Sequence, residues 1–283
     1  CPFILIVHDL YPDIAVNMGY LKAGSPITTL WKLVNQWVYR KAVFIVVLGR
    51  DMRSLLRSQL PGKEGDKVVY IPNWADPEIV SPIGRTENAF IKSLGLDKKF
   101  IVQYSGNMGL THDMETIVEA ANELREDNEI HFVMIGGGGK LSKIREMAKG
   151  YELGNMTFLA YQPRENLKNS LGASDVSLTS LEEGAQGLSV PSKLYGAMAS
   201  GRPIIANVPG DSEVAMTLRE FNCGIVTRPK DVTGMVNAIW SLKSNESERK
   251  AMGERAYKAF LENFTLQKCA DQYYKLIEQF ISC

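Results

Sequence analysis

The sequence predicts an α/β fold built on parallel sheets with helices on their faces. Two observations carry that prediction. Short, nearly uninterrupted apolar runs alternate with stretches of helical spacing along the chain. Strands buried on both faces read in this continuous way, whereas half-solvated strands alternate. Glycines and prolines also stand where run gives way to helix, as strand-to-helix turns require.

In order, "FILIVHD" (3–9) reads as a strand, 26–41 as a helix, "AVFIVVL" (42–48) as a strand, 50–60 as a helix and "KVVYI" (67–71) as a strand. The connector "IPNWADPEIVSPIGRTEN" (71–88) carries Pro72, Pro77, Pro82 and Gly84, and the domain boundary is expected here. Strands follow at 100–106, 130–136, 156–161, 175–181, 202–208 and 223–229. Helices are expected after Thr111 or Asp113 as cap, then over 140–151, 164–173, 191–200, 212–221 and 231–243. Residues 245–281 read as two further amphipathic helices. Six strands in this order suit one Rossmann-like domain. The first three strands look like part of another. Because "CPFILIV" opens directly on a strand pattern, that first unit is expected to be truncated on its N-terminal side.

A chain of 283 residues can hold two cores. Lys plus Arg and Asp plus Glu are both 32, so the basic excess of a general nucleic-acid binder is missing. Cys1, Cys223, Cys269 and Cys283 form no Cys-x-x-Cys pair, and the three histidines, His8, His112 and His131, are scattered. Neither a disulfide framework nor a metal site is expected. No signal peptide is visible and no apolar run is long enough to span a membrane, so a cytoplasmic protein with reduced thiols is expected. Residues 20–41 mix Lys22, Lys32, Arg40 and Lys41 with Trp31, Trp37 and Tyr39. Such a helix is either ordinary core or a peripheral contact with a membrane surface.

Several stretches fall on the rim formed by the C-terminal ends of the strands, where ligands gather in such sheets. In "YSGNMGLTHDMETI" (104–117), Gly106 and Gly109 let the N–H groups of Asn107, Met108 and Gly109 approach a phosphate, or else form a tight turn. In "IGGGGK" (135–140), Gly137 and Gly138 exceed what one turn needs, which suits either close approach of a ligand or a flexible loop. Tyr161 and Gln162 of "YQPRENL" are candidates for a base pocket or a plain loop. In "GLSVPSKLYGAMASGRPIIA" (187–206), a helix is expected to start at Pro191, with Ser192 and Lys193 in its first turn. A cation opposes the helix dipole there unless an anion binds, so Lys193 points to a diphosphate. His8, Asp9 and Asp13 of "HDLYPD" either face a cleft or close a strand.

Together "HDLYPD", "IPNW.D", "YSGNMG", "F.MIGGGG", "FL.YQP.E.L", "VPSKLYGAMASGRPIIA" and "CGIV..P.D" resemble the retaining family 4 (group 1) glycosyltransferases of the GT-B fold, on the side of bacterial exopolysaccharide and O-antigen enzymes such as the colanic-acid transferases. The resemblance implies a nucleotide-sugar-binding C-terminal domain over 76–262, a remnant of an acceptor-side domain over 1–75, and a last helix over 263–283 packing back toward that remnant. It implies a nucleotide-sugar donor, UDP-linked by preference, a lipid-linked or saccharide acceptor, and transfer without a metal or cofactor. Carried over by residue, the donor contacts are Gly106, Asn107, Met108, Gly109, Gly137, Gly138, Tyr161, Gln162, Arg164, Leu188, Ser189, Ser192 and Lys193, with Lys193 and Asp9 catalytic. Two positions depart from the family. Its Glu-x7-Glu pair falls on Leu188 and Gly196, and its Arg and Lys in the first glycine loop fall on Asn107 and the Thr111–His112 region. Lys193 is then the main remaining cation, with Arg164 second. The chain alone is expected to bind donor without transferring sugar. A sugar-nucleotide epimerase or an inactive nucleotide-binding module of the same fold are the alternatives. A dehydrogenase is disfavoured, because Gly-x-Gly-x-x-Gly is missing.

Overall fold

The computed structural model describes residues 2–281; Cys1 and Cys283, singled out above, lie outside them. The first unit runs β1 (Ile4–Val7), α1 (Asp13–Asn17), α2 (Pro26–Lys41), β2 (Phe44–Val47), α3 (Arg50–Gln59) and β3 (Val68–Tyr70), with the strands parallel in the order β1-β2-β3. After the connector and α4 (Ala89–Ser93) come β4 (Phe100–Asn107), α5 (Glu115–Glu123), β5 (Ile130–Gly137), α6 (Leu141–Gly150), β6 (Met156–Leu159), α7 (Leu167–Leu171), β7 (Val176–Ser180), α8 (Lys193–Ala199), β8 (Ile204–Asn207), α9 (Glu213–Phe221), β9 (Gly224–Thr227), α10 (Val232–Ser244), α11 (Glu246–Asn263) and α12 (Leu266–Ile281). The second sheet is all parallel, ordered β6-β5-β4-β7-β8-β9.

The apolar runs form strands because both faces are covered. Tyr104, Phe132 and Met134 pack on one face with Ile117, Ile144 and Ile239 from α5, α6 and α10. Ile204 and Ala206 pack with Leu194, Val214 and Phe260 from α8, α9 and α11 on the other. α12 then sets Leu276 against Val46 and Ile71 of the first sheet. Cys223 and Cys269 are buried free thiols.

Strand order locates the site. The chain winds outward from β4 to β6, returns to β7 and winds the other way, so the topology switches between β4 and β7. Crevices beyond the carboxyl ends of such strands hold ligands in open α/β sheets.

Two local details differ from the sequence reading and one chooses between its alternatives. α8 begins at Lys193, with Ser192 preceding it and Pro191 outside. The 164–173 stretch is a 3-10 turn at Arg164–Asn166 followed by the short α7. Of the two cap candidates, Asp113 caps α5: its Oδ1 accepts Thr116 N–H at 3.2 Å.

The two sheets are joined by paired backbone and buried charge. Asp9 bridges Ser189, and Leu10 N–H donates to the Leu188 carbonyl at 2.9 Å. The N-termini of α3 and α9 meet head to head, where Asp51 Oδ2 accepts Glu213 N–H at 3.0 Å and Glu213 Oε2 accepts Arg50 N–H at 2.6 Å.

Candidate active site

Between the sheets, at the β4/β7 switch point, lies an open cavity of about 740 Å³. Its walls come from the end of β1, the connector, the loops after β4 and β6, and the start of α8.

The end of β4 folds around Lys193. Gly106 has φ +145°, and a Cβ there would sit 3.0 Å from Lys193 Cε, so glycine leaves room for the lysine side chain. Lys193 Nζ donates to Tyr104 Oη at 2.7 Å and stands 4.7 Å from the Tyr104 ring centroid. Tyr104 Oη donates in turn to the Asn107 carbonyl at 2.7 Å. Among the described residues, no carboxylate pairs with Lys193. Burial lowers its ammonium to about 7. His112 lies against Tyr104, edge to face at 6.4 Å, and burial together with the Lys193 charge lowers its imidazole to about 3. His112 is therefore neutral, and Lys193 is the cation offered to the cavity.

Of the sequence-derived candidates, Asp9, Gly106, Asn107, Tyr161, Arg164, Ser189, Ser192 and Lys193 line this one cavity. Tyr161 is 60% exposed, with its ring seated over Gly136 and Gly137. Arg164 Nη2 lies 3.8 Å from Asp76 Oδ2.

Six candidates are placed otherwise, and the reasons are physical. Gly137 lies under the Tyr161 ring, and its carbonyl accepts the Met108 N–H. Met108 is wholly buried, and its N–H donates to the Gly137 carbonyl at 2.6 Å, so it is not free for a phosphate. Gly138, at φ +136°, exists for packing: a Cβ would lie 2.4 Å from Asn107 Oδ1 and 2.6 Å from the Met108 carbonyl oxygen. Gly109 packs against the Asn107 amide. Gln162 turns back to donate to the Ala160 carbonyl at 3.0 Å. Leu188 joins the core of the first sheet. The second glycine loop thus braces the first one. The sequence reading passed over Trp74 and Asp76 as site residues, although both stand in a quoted motif and line the cavity. Tyr104 also opens a quoted motif, but as the last large residue of a buried strand it reads as core.

α8 and the turn after it are built largely of small residues, Gly196, Ala197, Ala199, Ser200 and Gly201, and packing explains them. α11 approaches the end of α8 so closely that a Cβ on Gly253 would lie 2.3 Å from the Gly201 carbonyl oxygen. Because α8 has only seven residues, the case for an anion rests on the Lys193 side chain and not on a helix dipole.

Among the described residues, Asp113, Glu115 and Glu182 bring carboxylates together. Lys140 Nζ already pairs with two of them, 2.8 Å from Glu115 and 2.6 Å from Glu182. Asp113 Oδ2 accepts from Thr116, Asn207 and the Lys230 N–H. The cluster ties loops together away from the cavity wall.

This architecture is that of the GT-B glycosyltransferases. The chain matches HepE of Anabaena, solved in complex with UDP and glucose, with TM-score 0.81 at 14% identity over 98% of this chain and 72% of HepE. It matches a sucrose-phosphate synthase of Thermosynechococcus elongatus with TM-score 0.79 at 19% identity, over 99% of this chain and 68% of that one. Residues 86–259 match the family described as "Glycosyl transferases group 1", and the chain belongs to that family. It is 30% identical to the "Probable glycosyltransferase WbjE" of Pseudomonas aeruginosa, over 84% of this chain and 58% of WbjE. It is 28% identical to WcaI of Escherichia coli (strain K12), named for colanic acid biosynthesis, over 66% of this chain and 47% of WcaI. The chain therefore spans about half the length of these relatives. No described helix is long and apolar enough to cross a membrane.

Proposed function

We propose that this chain carries the donor site of a glycosyltransferase that moves a sugar from a UDP-sugar to a lipid-linked or saccharide acceptor in cell-surface polysaccharide synthesis. Residues 76–262 form the donor domain in this reading, with 1–75 on the acceptor side and 263–283 as the returning helix. The observation that carries it is Lys193: a cation without a carboxylate partner among the described residues, at the topological switch point, in a cleft large enough for a nucleotide. The UDP held by HepE and the naming of WcaI support the choice of donor and pathway class.

In the transfer, the bond between the anomeric carbon and the diphosphate oxygen breaks and the acceptor hydroxyl forms the new one, with retained configuration. Lys193 balances the charge that develops on the leaving diphosphate. Retention requires the hydroxyl to attack from the face the diphosphate leaves, so its proton passes to a carboxylate on that side. Asp9, a cavity-lining residue paired by backbone with Ser189 ahead of α8, is the residue assigned to accept it. Tyr161 offers its exposed ring face to the base. Calorimetry against UDP-, GDP- and ADP-sugars tests the donor assignment, with preference for UDP expected. Turnover of a UDP-sugar without any acceptor would instead establish an epimerase.

The reaction as read here needs no metal, because the charge on the diphosphate meets Lys193 and the carboxylate cluster is filled by Lys140. UDP affinity is expected to be the same with and without EDTA. Loss of binding on chelation, restored by Mg²⁺ or Mn²⁺, would overturn the assignment.

A second expectation concerns α2. It turns Leu30 (63% exposed), Trp37 (64%), Ile27 and Leu33 outward, near Lys22, Arg40 and Lys41. An apolar stripe with flanking cations suits the inner face of an anionic membrane. The chain should sediment with phosphatidylglycerol vesicles more than with phosphatidylcholine vesicles. Trp37→Glu should reduce that partition by about tenfold, equivalent to roughly 1.4 kcal/mol. Equal sedimentation of variant and parent would remove the membrane reading.

A further inference from the structure

Tyr104 stands at the centre of the second sheet, wholly buried, with its ring among the core residues of the α5 layer. A tyrosine in such a place needs a partner for its hydroxyl, and here the hydroxyl has two. It donates to the Asn107 carbonyl and accepts from Lys193 Nζ, both at 2.7 Å. One oxygen thus fastens the end of β4 to the first residue of α8. The ring also lies under the ammonium at 4.7 Å, close enough for its negative face to attract the charge. Gly106 completes the arrangement by leaving the lysine stem room to pass.

We infer that Tyr104 is the positioning residue for Lys193: it holds the ammonium at the cavity wall and fixes the Asn107 loop beside it, so that the cation is in place before the diphosphate arrives. The inference rests on the reading of Lys193 as the diphosphate cation. The titratable and charged groups around the lysine are consistent with it. His112 is neutral on the same side, and Lys140 behind it is already paired with Glu115 and Glu182. His8 and Asp9 line the same cavity, and among the described residues neither is paired with Lys193. Tyr104 thus supplies the direct hydrogen-bond acceptor. Without it, a long, flexible side chain must be ordered by the ligand itself, and that ordering costs affinity.

Tyr104→Phe keeps the ring and its packing and removes only the hydroxyl. UDP affinity should fall by about tenfold, on the scale of one charge-assisted hydrogen bond, while uridine affinity stays the same. In a Lys193→Ala background, the same change should leave the UDP-to-uridine ratio untouched, because there is no ammonium left to position. A readout without ligand is the NMR titration of the Lys193 side chain. Its midpoint should fall in Tyr104→Phe, because the lost acceptor favoured only the charged form. An unchanged midpoint, or effects of the two substitutions that simply add, would show Tyr104 to be packing alone. If Lys193→Ala leaves the UDP-to-uridine ratio unchanged while the midpoint still moves in Tyr104→Phe, the diphosphate reading fails and the positioning of Lys193 by Tyr104 stands.

Discussion

Replacing Lys193 with alanine should lower UDP affinity by about ten- to a hundredfold, the worth of one charge-assisted contact of roughly 1.5–3 kcal/mol. Uridine, which has no phosphates, should bind as before. The size of the effect follows from the isolation of the charge. A surface lysine shared with a carboxylate would lose little, but among the described residues Lys193 is hydrogen-bonded to the Tyr104 hydroxyl and to no carboxylate. The same isolation sets the pH dependence. With its free ammonium lowered to about 7 by burial, Lys193 is half neutral near that pH. A bound diphosphate raises it, so binding takes up a proton above neutrality. Affinity should therefore fall as pH rises beyond about 7, by no more than tenfold per unit, and Lys193→Ala should flatten the profile. Stability of the unliganded protein moves the opposite way. The folded value lies below the unfolded one, so the unfolded chain holds more protons between about 7 and 10.5, and stability rises with pH across that window. Lys193→Met, which keeps the stem and removes the charge, should be at least as stable as the parent at pH 7. Equal losses for UDP and uridine would make Lys193 structural and move attention to Arg164.

Much of the fold, and eight of the residues that line the cavity, were legible in the sequence for reasons that are local. Buried parallel strands announce themselves as apolar runs, and β4 and β5 stand within a residue of where the runs predict them. Lys193 stood out as a cation at an expected helix start, and the structure places it on the cavity wall, where its side chain and not the short α8 carries the case for an anion. What was not legible depends on partners remote in sequence. Gly138 looks like a phosphate glycine until the Asn107 side chain and the Met108 carbonyl are seen pressed against it. Met108, apolar between two glycines, belongs to the core beneath the loop. Leu188 lies in a stretch with no periodicity, so nothing in the sequence says that it turns to the first sheet. Tyr104 differs from its strand neighbours only by a hydroxyl, and the partner that gives the hydroxyl meaning is 89 residues away.

The largest stability loss is expected at a pair that sequence reading could not find, because its members are more than 160 residues apart. Glu213 opens α9 with a side chain only 1% exposed. It accepts Arg50 N–H at 2.6 Å, the Arg50 guanidinium at 3.0 Å and the Tyr70 hydroxyl at 2.9 Å. Asp51 returns the favour by accepting the N–H groups of Glu213 at 3.0 Å and Gly187 at 2.9 Å. Each carboxylate therefore caps the other helix, where the positive ends of α3 and α9 would otherwise repel. Glu213→Ala leaves Tyr70 and the Arg50 N–H without their acceptor in a buried seam. Removing one partner of a buried pair costs about 3–5 kcal/mol, and the lower end applies here. Arg50 is 36% exposed and keeps Glu220 at 2.6 Å, so its charge is not stranded. Glu213→Gln, which keeps one acceptor oxygen, should cost less than half as much. Asp51→Ala and Glu213→Ala together should cost less than their sum, because the two share one seam. Urea unfolding measures all three. The seam joins the sheets and not the core of either, so the alanine variant should also begin to unfold in two steps, the first sheet before the second. A single sharp transition displaced by under about 1 kcal/mol, the scale of an exposed pair, would mean that backbone pairing at Asp9–Ser189 and the packing of α12 hold the sheets together without the charges.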